Sequence, residues 1–406
     1  MSTAVLVIFG LVYLGMVLGE IPGLALDRTG VALLGAIAMV MVGALPFADT
    51  WAAVDMPTLY LLFALMVLSA QFRLAGFYSN LVRRVVALDV SAPALLALVL
   101  LASGGLSAVL TNDVVCLAVT PMLVEGCARR KLDPVPFLLA LACGSNVGSA
   151  ATLIGNPQNI LIGQSLHLSF SRFLVDAGVP AVLGLGAVWG VIALQYRGRW
   201  SKELAQVPQV DEPPFNRWQS FKGVSIATVL VVLFLFFHDM PRDGAALVCA
   251  GVLLLSRRMA TRAMLALVDW QLLVLFIGLF VVNRAFAHTG AMEAALAAMR
   301  GAGVDPSRPQ WLFGLSVVLS NLVSNVPATM LLLPAATHPL AGPILALSST
   351  LAGNLLIVGS IANIIVVTAA KPLGVEISFR THARTGIPVT LATLAIAAGW
   401  LWMVDG

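Results

Sequence analysis

Hydrophobic residues along the chain fall in blocks of roughly twenty, set apart by short stretches where the charges collect. Blocks of that length predict membrane-crossing helices over 3–20, 29–47, 56–75, 135–163, 174–195, 222–238, 243–257, 269–287, 341–370 and 384–403. Two further apolar segments, 92–126 and 310–335, are too long for a single helix. Each is interrupted near its middle by a polar cluster: Thr111-Asn112-Asp113 in the first, Ser324-Asn325 ahead of Pro327 in the second.

The basic residues decide how these two segments run. Arg73, Arg83 and Arg84 precede 92–126, and Arg129, Arg130 and Lys131 follow it. Lys and Arg gather on the cytoplasmic side of membrane proteins, so the chain should enter and leave this segment on one face. That predicts a re-entrant hairpin with its polar tip inside the membrane. With 310–335 treated alike, 18 of the 23 Lys and Arg residues fall on the cytoplasmic side. Arg172, Arg242, Arg284, Arg300 and Arg308 fall outside. The result is ten spans and two hairpins, with both termini outside the cytoplasm.

The two halves resemble each other at an offset of 213–214 residues. Thr29-Gly30 aligns with Asp243-Gly244, Asp55 with Asp269, Gly76 with Gly290, Thr111-Asn112 with Ser324-Asn325, and Pro121 with Pro334. Later the offset falls to 204, pairing Gly155-Asn156-Pro157-Gln158-Asn159-Ile160 with Gly359-Ser360-Ile361-Ala362-Asn363-Ile364. Five spans per half is an odd number, so the second repeat is inverted relative to the first. The domain reading is a first repeat over 1–195, a polar, Pro-rich cytoplasmic linker over 196–221, and a second repeat over 222–406. The order and near-constant spacing of the matches carry this reading, since single matches among Ala, Leu and Gly are cheap.

Composition closes off other classes. The chain of 406 residues is 60% hydrophobic and 10% charged, against about 25% charged in ordinary soluble domains. Disordered, fibrous, disulfide-rich secreted and nucleic-acid-binding proteins are excluded, and the net charge of +4 is read as membrane orientation. Cys116, Cys127, Cys143 and Cys249 have no CxxC spacing and are read as small core residues. The first apolar run has no basic residue before Arg28, so it is a helix rather than a signal peptide. No HExxH, GxSxG, P-loop or CxxC motif points to an enzyme.

The densest polar stretch inside an apolar block runs from Cys143 to Asn159. Pro157 removes a backbone donor, and Gly144, Gly148 and Gly155 permit irregular backbone. Such backbone at membrane depth is tolerated only against protein or a water-filled cavity. Asn146, Ser149, Thr152, Asn156 and Asn159 would supply oxygens suited to a hard cation such as Na⁺. A polar helix-helix contact is the plainer alternative. Asp113 is the carboxylate placed deep in the membrane, where it could bind a cation, carry a proton, or simply cap the second hairpin helix. Glu125, Asp55, Asp269 and His238 read as charges at span ends. No Lys or Arg falls inside the hairpin tips, Gly144–Asn159 or Gly353–Asn363. An anionic solute would meet helix N-termini, amides and co-bound cations; a cationic one would meet Asp113.

These motifs are those of a family. The Thr111-Asn112-Asp113 tip with Thr120-Pro121, the Ser145–Asn159 run, Ser324-Asn325-Val326-Pro327, and Gly353-Asn354 through Asn363 resemble the ion transporter superfamily. Within it they are most similar to the arsenite-permease-like and sodium/proton-antiporter-like branch, and more distantly to the divalent-anion/sodium symporters. The resemblance implies an all-α membrane homodimer working as an elevator. The first three spans of each half would form the scaffold; the hairpins, broken helices and last spans would move. It implies one cation near Thr111, Asn112, Asn146 and Gly155, a second near Ser324, Asn325, Asn354 and Gly359, and solute between the tips. With Thr152 added to the cation ligands, the solute is expected against Asn112, Asp113, Asn156, Asn159, Ser324, Asn325, Ser360 and Asn363. The dicarboxylate symporters carry Ser-Asn-Thr at both tips, whereas this chain reads Thr-Asn-Asp and Ser-Asn-Val, which argues against di- and tricarboxylates. The expected function is secondary transport of a small inorganic or organic anion or oxyanion across a cell inner membrane. Na⁺ or H⁺ would drive it, with no other cofactor. The alternative is a monovalent cation/proton antiporter using Asp113.

Overall fold

The computed structural model describes residues 3–19, 21, 23–202, 210, 213–237 and 239–405; His238 and much of the expected linker lie outside this set. The first half holds α1 (Thr3–Leu18), α2 (Arg28–Met41), α3 (Thr50–Ala53), α4 (Met56–Leu74) and α5 (Phe77–Val86). It continues with α6 (Ala92–Val109), α7 (Asn112–Arg129), α8 (Pro134–Ser149), α9 (Pro157–Ser165) and α10 (Phe170–Gln195). The second half holds α11 (Arg217–Phe236), α12 (Arg242–Leu254), α13 (Thr261–Leu265), α14 (Trp270–His288) and α15 (Ala291–Gly301). It ends with α16 (Pro309–Val323), α17 (Asn325–Leu332), α18 (Ala341–Ala352), α19 (Ile361–Ala370) and α20 (Phe379–Asp405). Among the described residues there is no β-strand, only an isolated bridge between Leu132 and Ser201.

Among the described residues, six helices are long and apolar enough to cross a membrane: α4, α6, α10, α11, α14 and α20. Five of them coincide with expected spans; α6 is the first arm of the expected hairpin at 92–126. The segments 135–163 and 341–370 are not continuous helices but two helices each, α8 with α9 and α18 with α19. The helices α1, α2 and α12 have 16, 14 and 13 residues, so they extend only about 20–24 Å at 1.5 Å per residue. Both long apolar segments break at their polar clusters, between Val109 and Asn112 and at Ser324.

Matching residues start matching helices. Asp55 caps α4 by accepting from Thr58 N at 3.2 Å, and Asp269 caps α14 by accepting from Leu272 N at 2.9 Å. Gly76 and Gly290 open α5 and α15 with φ of +64° and +72°, where side-chain-bearing residues are disfavoured. Glu125, expected as an end charge, is buried and pairs with the exposed Arg129 at 2.5 Å.

Packing crosses between the halves. α2 lies along α14 and α12 along α4, while α1 also meets α14 and α11 meets α4. A second group forms around α8 and α18, every residue of which is buried. α8 packs on α6, α7, α10 and α19; α18 packs on α16, α20, α10 and α9. α6 can approach α8 closely because Gly104 faces Gly148: a Cβ on Gly148 would sit 2.2 Å from the Gly104 carbonyl oxygen. Large apolar side chains such as Leu11, Leu34, Val182, Val229 and Leu391 are exposed on the outer helices, as expected where lipid replaces water.

A polar network at the helix breaks

The two broken helices are built alike. Between α8 and α9, Asn156 turns extended and caps α9 by accepting from Asn159 N at 2.8 Å. Asn159 then donates its side-chain amide to the carbonyls of Ser149 (3.2 Å) and Thr152 (2.8 Å), closing the gap left by the missing helical bonds. Between α18 and α19, Ser360 caps by accepting from Ala362 N at 3.2 Å. Asn363 donates to the carbonyls of Gly353 (2.8 Å) and Leu356 (3.1 Å). Asn159 and Asn363 therefore each spend their N–H groups on holding a break open.

Asn146, on α8, joins these parts. Its Oδ1 accepts from Asn112 Nδ2 at 3.2 Å and Ser360 Oγ at 2.9 Å; its Nδ2 donates to Asn354 Oδ1 at 2.8 Å and Asn363 Oδ1 at 3.3 Å. A second brace runs the other way: Asn156 Nδ2 and Gln158 Nε2 donate to Thr350 Oγ1 on α18, at 3.3 and 3.1 Å. The cap of each short helix thus bonds the core helix of the opposite half.

The first expected cation set comes together. The Asn112 backbone N–H donates to the Gly155 carbonyl at 3.2 Å, its side chain reaches Asn146, and Thr111 Oγ1 lies 3.5 Å from Ser69 Oγ. Thr152 is turned away, with its hydroxyl donating to the Ala108 carbonyl at the end of α6. The second expected set is not assembled in the same way. Asn354 belongs to the Asn146 network, but among the described residues no hydrogen bond ties Ser324 or Asn325 to Asn354 or Gly359. Asn321 of α16 stands there instead, donating to the Ala352 carbonyl at 3.2 Å with its Oδ1 beside Gly359. Ser324 itself has φ +76° and ψ +161°, a region occupied almost only by glycine.

Several buried polar atoms in or beside this network have no hydrogen-bond partner among the described residues: Oδ1 of Asn112, Asn159 and Asn321, and Nδ2 of Asn354; Oδ1 of Asn325, at the second tip, is open as well. Unpaired groups of this kind are costly, and here they lie beside the N-terminal ends of α7, α9 and α19, whose first or capping residues Asn112, Asn156 and Ser360 belong to the hydrogen-bonded braces. Open oxygens can ligate a hard cation, while open N–H groups and helix N-termini can hold an anion. Asp113 is half-buried in the first turn of α7 and makes no hydrogen bond or ion pair among the described residues.

Sequence reasoning missed Thr350, Asn321 and His382. Thr350 is 204 residues beyond Asn146, so the repeat offset already marked it. Asn321 lies a turn before the tip motif. His382 is fully buried on α20, with neither ring nitrogen hydrogen-bonded among the described residues, where that helix passes the Asn354 and Leu355 carbonyls; no pattern in the sequence singled it out.

Comparison with known proteins agrees with this architecture. Silicon efflux transporter LSI3 of Oryza sativa subsp. japonica is 29% identical, over 96% of this chain and 95% of that protein. An uncharacterized transporter of Mycobacterium tuberculosis, Rv2685, is 30% identical, over 93% and 94%. Among solved structures, the YdaH transporter of Alcanivorax borkumensis superposes with a TM-score of 0.61, covering 99% of this chain and 97% of that one at 17% identity; this likeness concerns the fold alone. Residues 4–344 match the CitMHS family model, whose description is citrate transporter. On that match the chain belongs to the CitMHS citrate transporter family and is a membrane transporter.

Proposed function

We propose that this transporter is a secondary active carrier of a small anion or oxyanion, coupled to Na⁺ or H⁺. The observation that carries the reading is the Asn146 network. It joins one hairpin tip to both helix breaks at a place where acceptor oxygens (Asn112, Asn159) and a donor (Asn354) remain open. Those oxygens suit a coupling Na⁺, and the open N–H with the surrounding helix N-termini suits an oxyanion. Because the breaks contain no Lys or Arg, a solute bearing several charges would need several bound cations to offset its desolvation. The site therefore favours a neutral or singly charged oxyacid over citrate, in keeping with the silicon efflux named for the rice relative. The exchange of partners between halves supports two inverted repeats. The group around α8 and α18 would move as an elevator against the α2–α14 and α4–α12 scaffold of a homodimer. A cell inner membrane with both termini outside the cytoplasm fits the distribution of arginine.

A second reading, monovalent cation/proton antiport, is favoured by one observation, the unpartnered Asp113. The test is melting of the purified protein in Na⁺ against choline at fixed ionic strength and several pH values. Counterflow of silicate, arsenite, phosphate and citrate in proteoliposomes follows. Saturable oxyanion counterflow, accompanied by Na⁺ stabilisation if Na⁺ is the coupling ion and by pH-dependent melting if H⁺ is, is the expected result. Cation/proton exchange with no oxyanion counterflow, abolished by Asp113→Asn, would replace the oxyanion reading with the antiporter.

A further inference from the structure

The two longest helices, α10 and α20, pack together along their length, and where α10 ends and α20 begins they form an open-sided cavity of about 220 Å³. Three arginines line it: Arg199 just beyond α10, and Arg380 and Arg384 on the first turns of α20. Among the described residues none of the three forms an ion pair. Arg199 donates to the Gln195 carbonyl, and Asp133, on the neighbouring loop, caps α8 by accepting from Val135 N at 3.2 Å without pairing with any of the three.

The floor is ordered. The Gln195 carboxamide stitches the helices together, donating to the Arg384 carbonyl at 2.8 Å and accepting from Thr385 Oγ1 at 2.7 Å. Ser378 and Thr381 add hydroxyls 2.8 Å apart, with Ser378 Oγ also accepting from Thr381 N at 3.1 Å to cap α20. Guanidinium forks, hydroxyls and a helix N-terminus are the groups that recognise a phosphate. A water takes up about 30 Å³, so a tetrahedral oxyanion fits with water to spare.

The level of the cavity identifies the source. From Gly386 to Val404 α20 carries no charge, and neither does α10 from Ala177 to its end. The cavity therefore sits where two apolar spans emerge, beside Tyr196 and Trp200, whose rings are 6.3 Å apart, at the depth where aromatic residues mark the membrane interface. We propose that this pocket is a phosphate-binding site occupied by the headgroup of an anionic phospholipid, which would clamp α10 to α20. It is built on different residues from the Asn146 network and does not depend on which solute is carried.

The experiment uses the full chain in a neutral detergent and reads the melting temperature. Probes are short-chain phosphatidylglycerol, short-chain phosphatidylcholine, and inorganic phosphate against chloride at fixed ionic strength. Phosphatidylglycerol should stabilise saturably and phosphatidylcholine much less. The half-saturating concentration should rise about tenfold in R380Q/R384Q, as expected for loss of charge-assisted bonds. R257Q/R258Q, which changes two exposed arginines in another basic loop, should behave as the unaltered chain. Should R380Q/R384Q not fold, R199Q and R380K/R384K give the same reading, the latter keeping the charge without the fork. Stabilisation by inorganic phosphate alone, lost in the arginine variants, would keep the phosphate site and name a soluble source. No shift with phosphatidylglycerol or with inorganic phosphate, an equal shift with phosphatidylcholine, a shift that survives the arginine variants, or an equal loss in R257Q/R258Q would overturn the proposal.

Discussion

Replacing Asn146 with alanine is the sharpest perturbation of this molecule. Asn146 is 1% exposed and makes four side-chain hydrogen bonds to four residues. Alanine would leave Asn112 Nδ2, Ser360 Oγ and Asn354 Oδ1 without those partners, and would take one acceptor bond from Asn363. Interhelical hydrogen bonds in membrane proteins average about 0.6 kcal/mol, which sets a floor of about 2 kcal/mol for four. Orphaned buried polar groups cost about 1–3 kcal/mol each in water-soluble proteins, and partial rearrangement toward water or the open Asn112 Oδ1 tempers this. A loss of about 2–4 kcal/mol is expected, or a fall in Tm of about 4–8 °C at roughly 2 °C per kcal/mol. Asn354→Ala and the double variant complete a thermodynamic cycle, with a coupling of about 0.6–1.7 kcal/mol expected for the 2.8 Å bond. Solute uptake into proteoliposomes should fall about tenfold, equivalent to about 1.4 kcal/mol of binding, because tip and breaks lose their common anchor. An Asn146→Ala protein that melts within 1 °C of the unaltered chain and transports normally would refute the reasoning, as would zero coupling to Asn354.

Three further outcomes follow from local geometry. Gly148→Ala should destabilise by about 1–3 kcal/mol, because its Cβ would meet Gly104 backbone atoms at 2.2–2.6 Å and no side chain can yield; unchanged melting would mean that α6 and α8 can separate freely. Ser324→Gly should raise stability by about 1 kcal/mol, the relief of a strained backbone less the added freedom of glycine; a fall in Tm would show that the Ser324 hydroxyl holds the tip. In the loop before α16, bonds from the Ser307 hydroxyl (2.7 Å) and N–H (3.1 Å) hold the Asp305 carboxyl below its usual range, with Arg300 and Arg308 assisting. A depressed folded pKa stabilises above the unfolded value of about 3.9 and is lost as pH falls through the folded value. Hydrogen exchange over residues 302–308 should therefore be independent of this group between pH 5 and 8 (about one unit or more above that value). Protection of these amides, corrected for the intrinsic exchange rate at each pH, should fall only on strong acidification, and Asp305→Asn should remove that response.

The sequence by itself determined what depends on short-range chemistry and on lipid as solvent. Blocks of apolar residues of bilayer length, too few charges for a water-facing coat, and polar clusters at Thr111 and Ser324 left little choice but membrane helices broken at those points. Asp55 with Asp269 and Gly76 with Gly290 could be matched because a cap and a left-handed turn are set within a few residues of chain. What the sequence could not reveal was partnership over long separations. Asn146 and Asn354 are 208 residues apart, and only the folded packing of α8 against α18 and α19 brings Asn354, from the second expected set, into one network with the first. The same packing turns Thr152 toward α6, brings Asn321 rather than Ser324 to Gly359, and buries His382 behind the second break. Which amide donates to which carbonyl depends on helix rotation and separation to within a fraction of an ångström. Those are set by how glycine faces such as Gly104 and Gly148 allow neighbouring helices to close, a property of the assembled core.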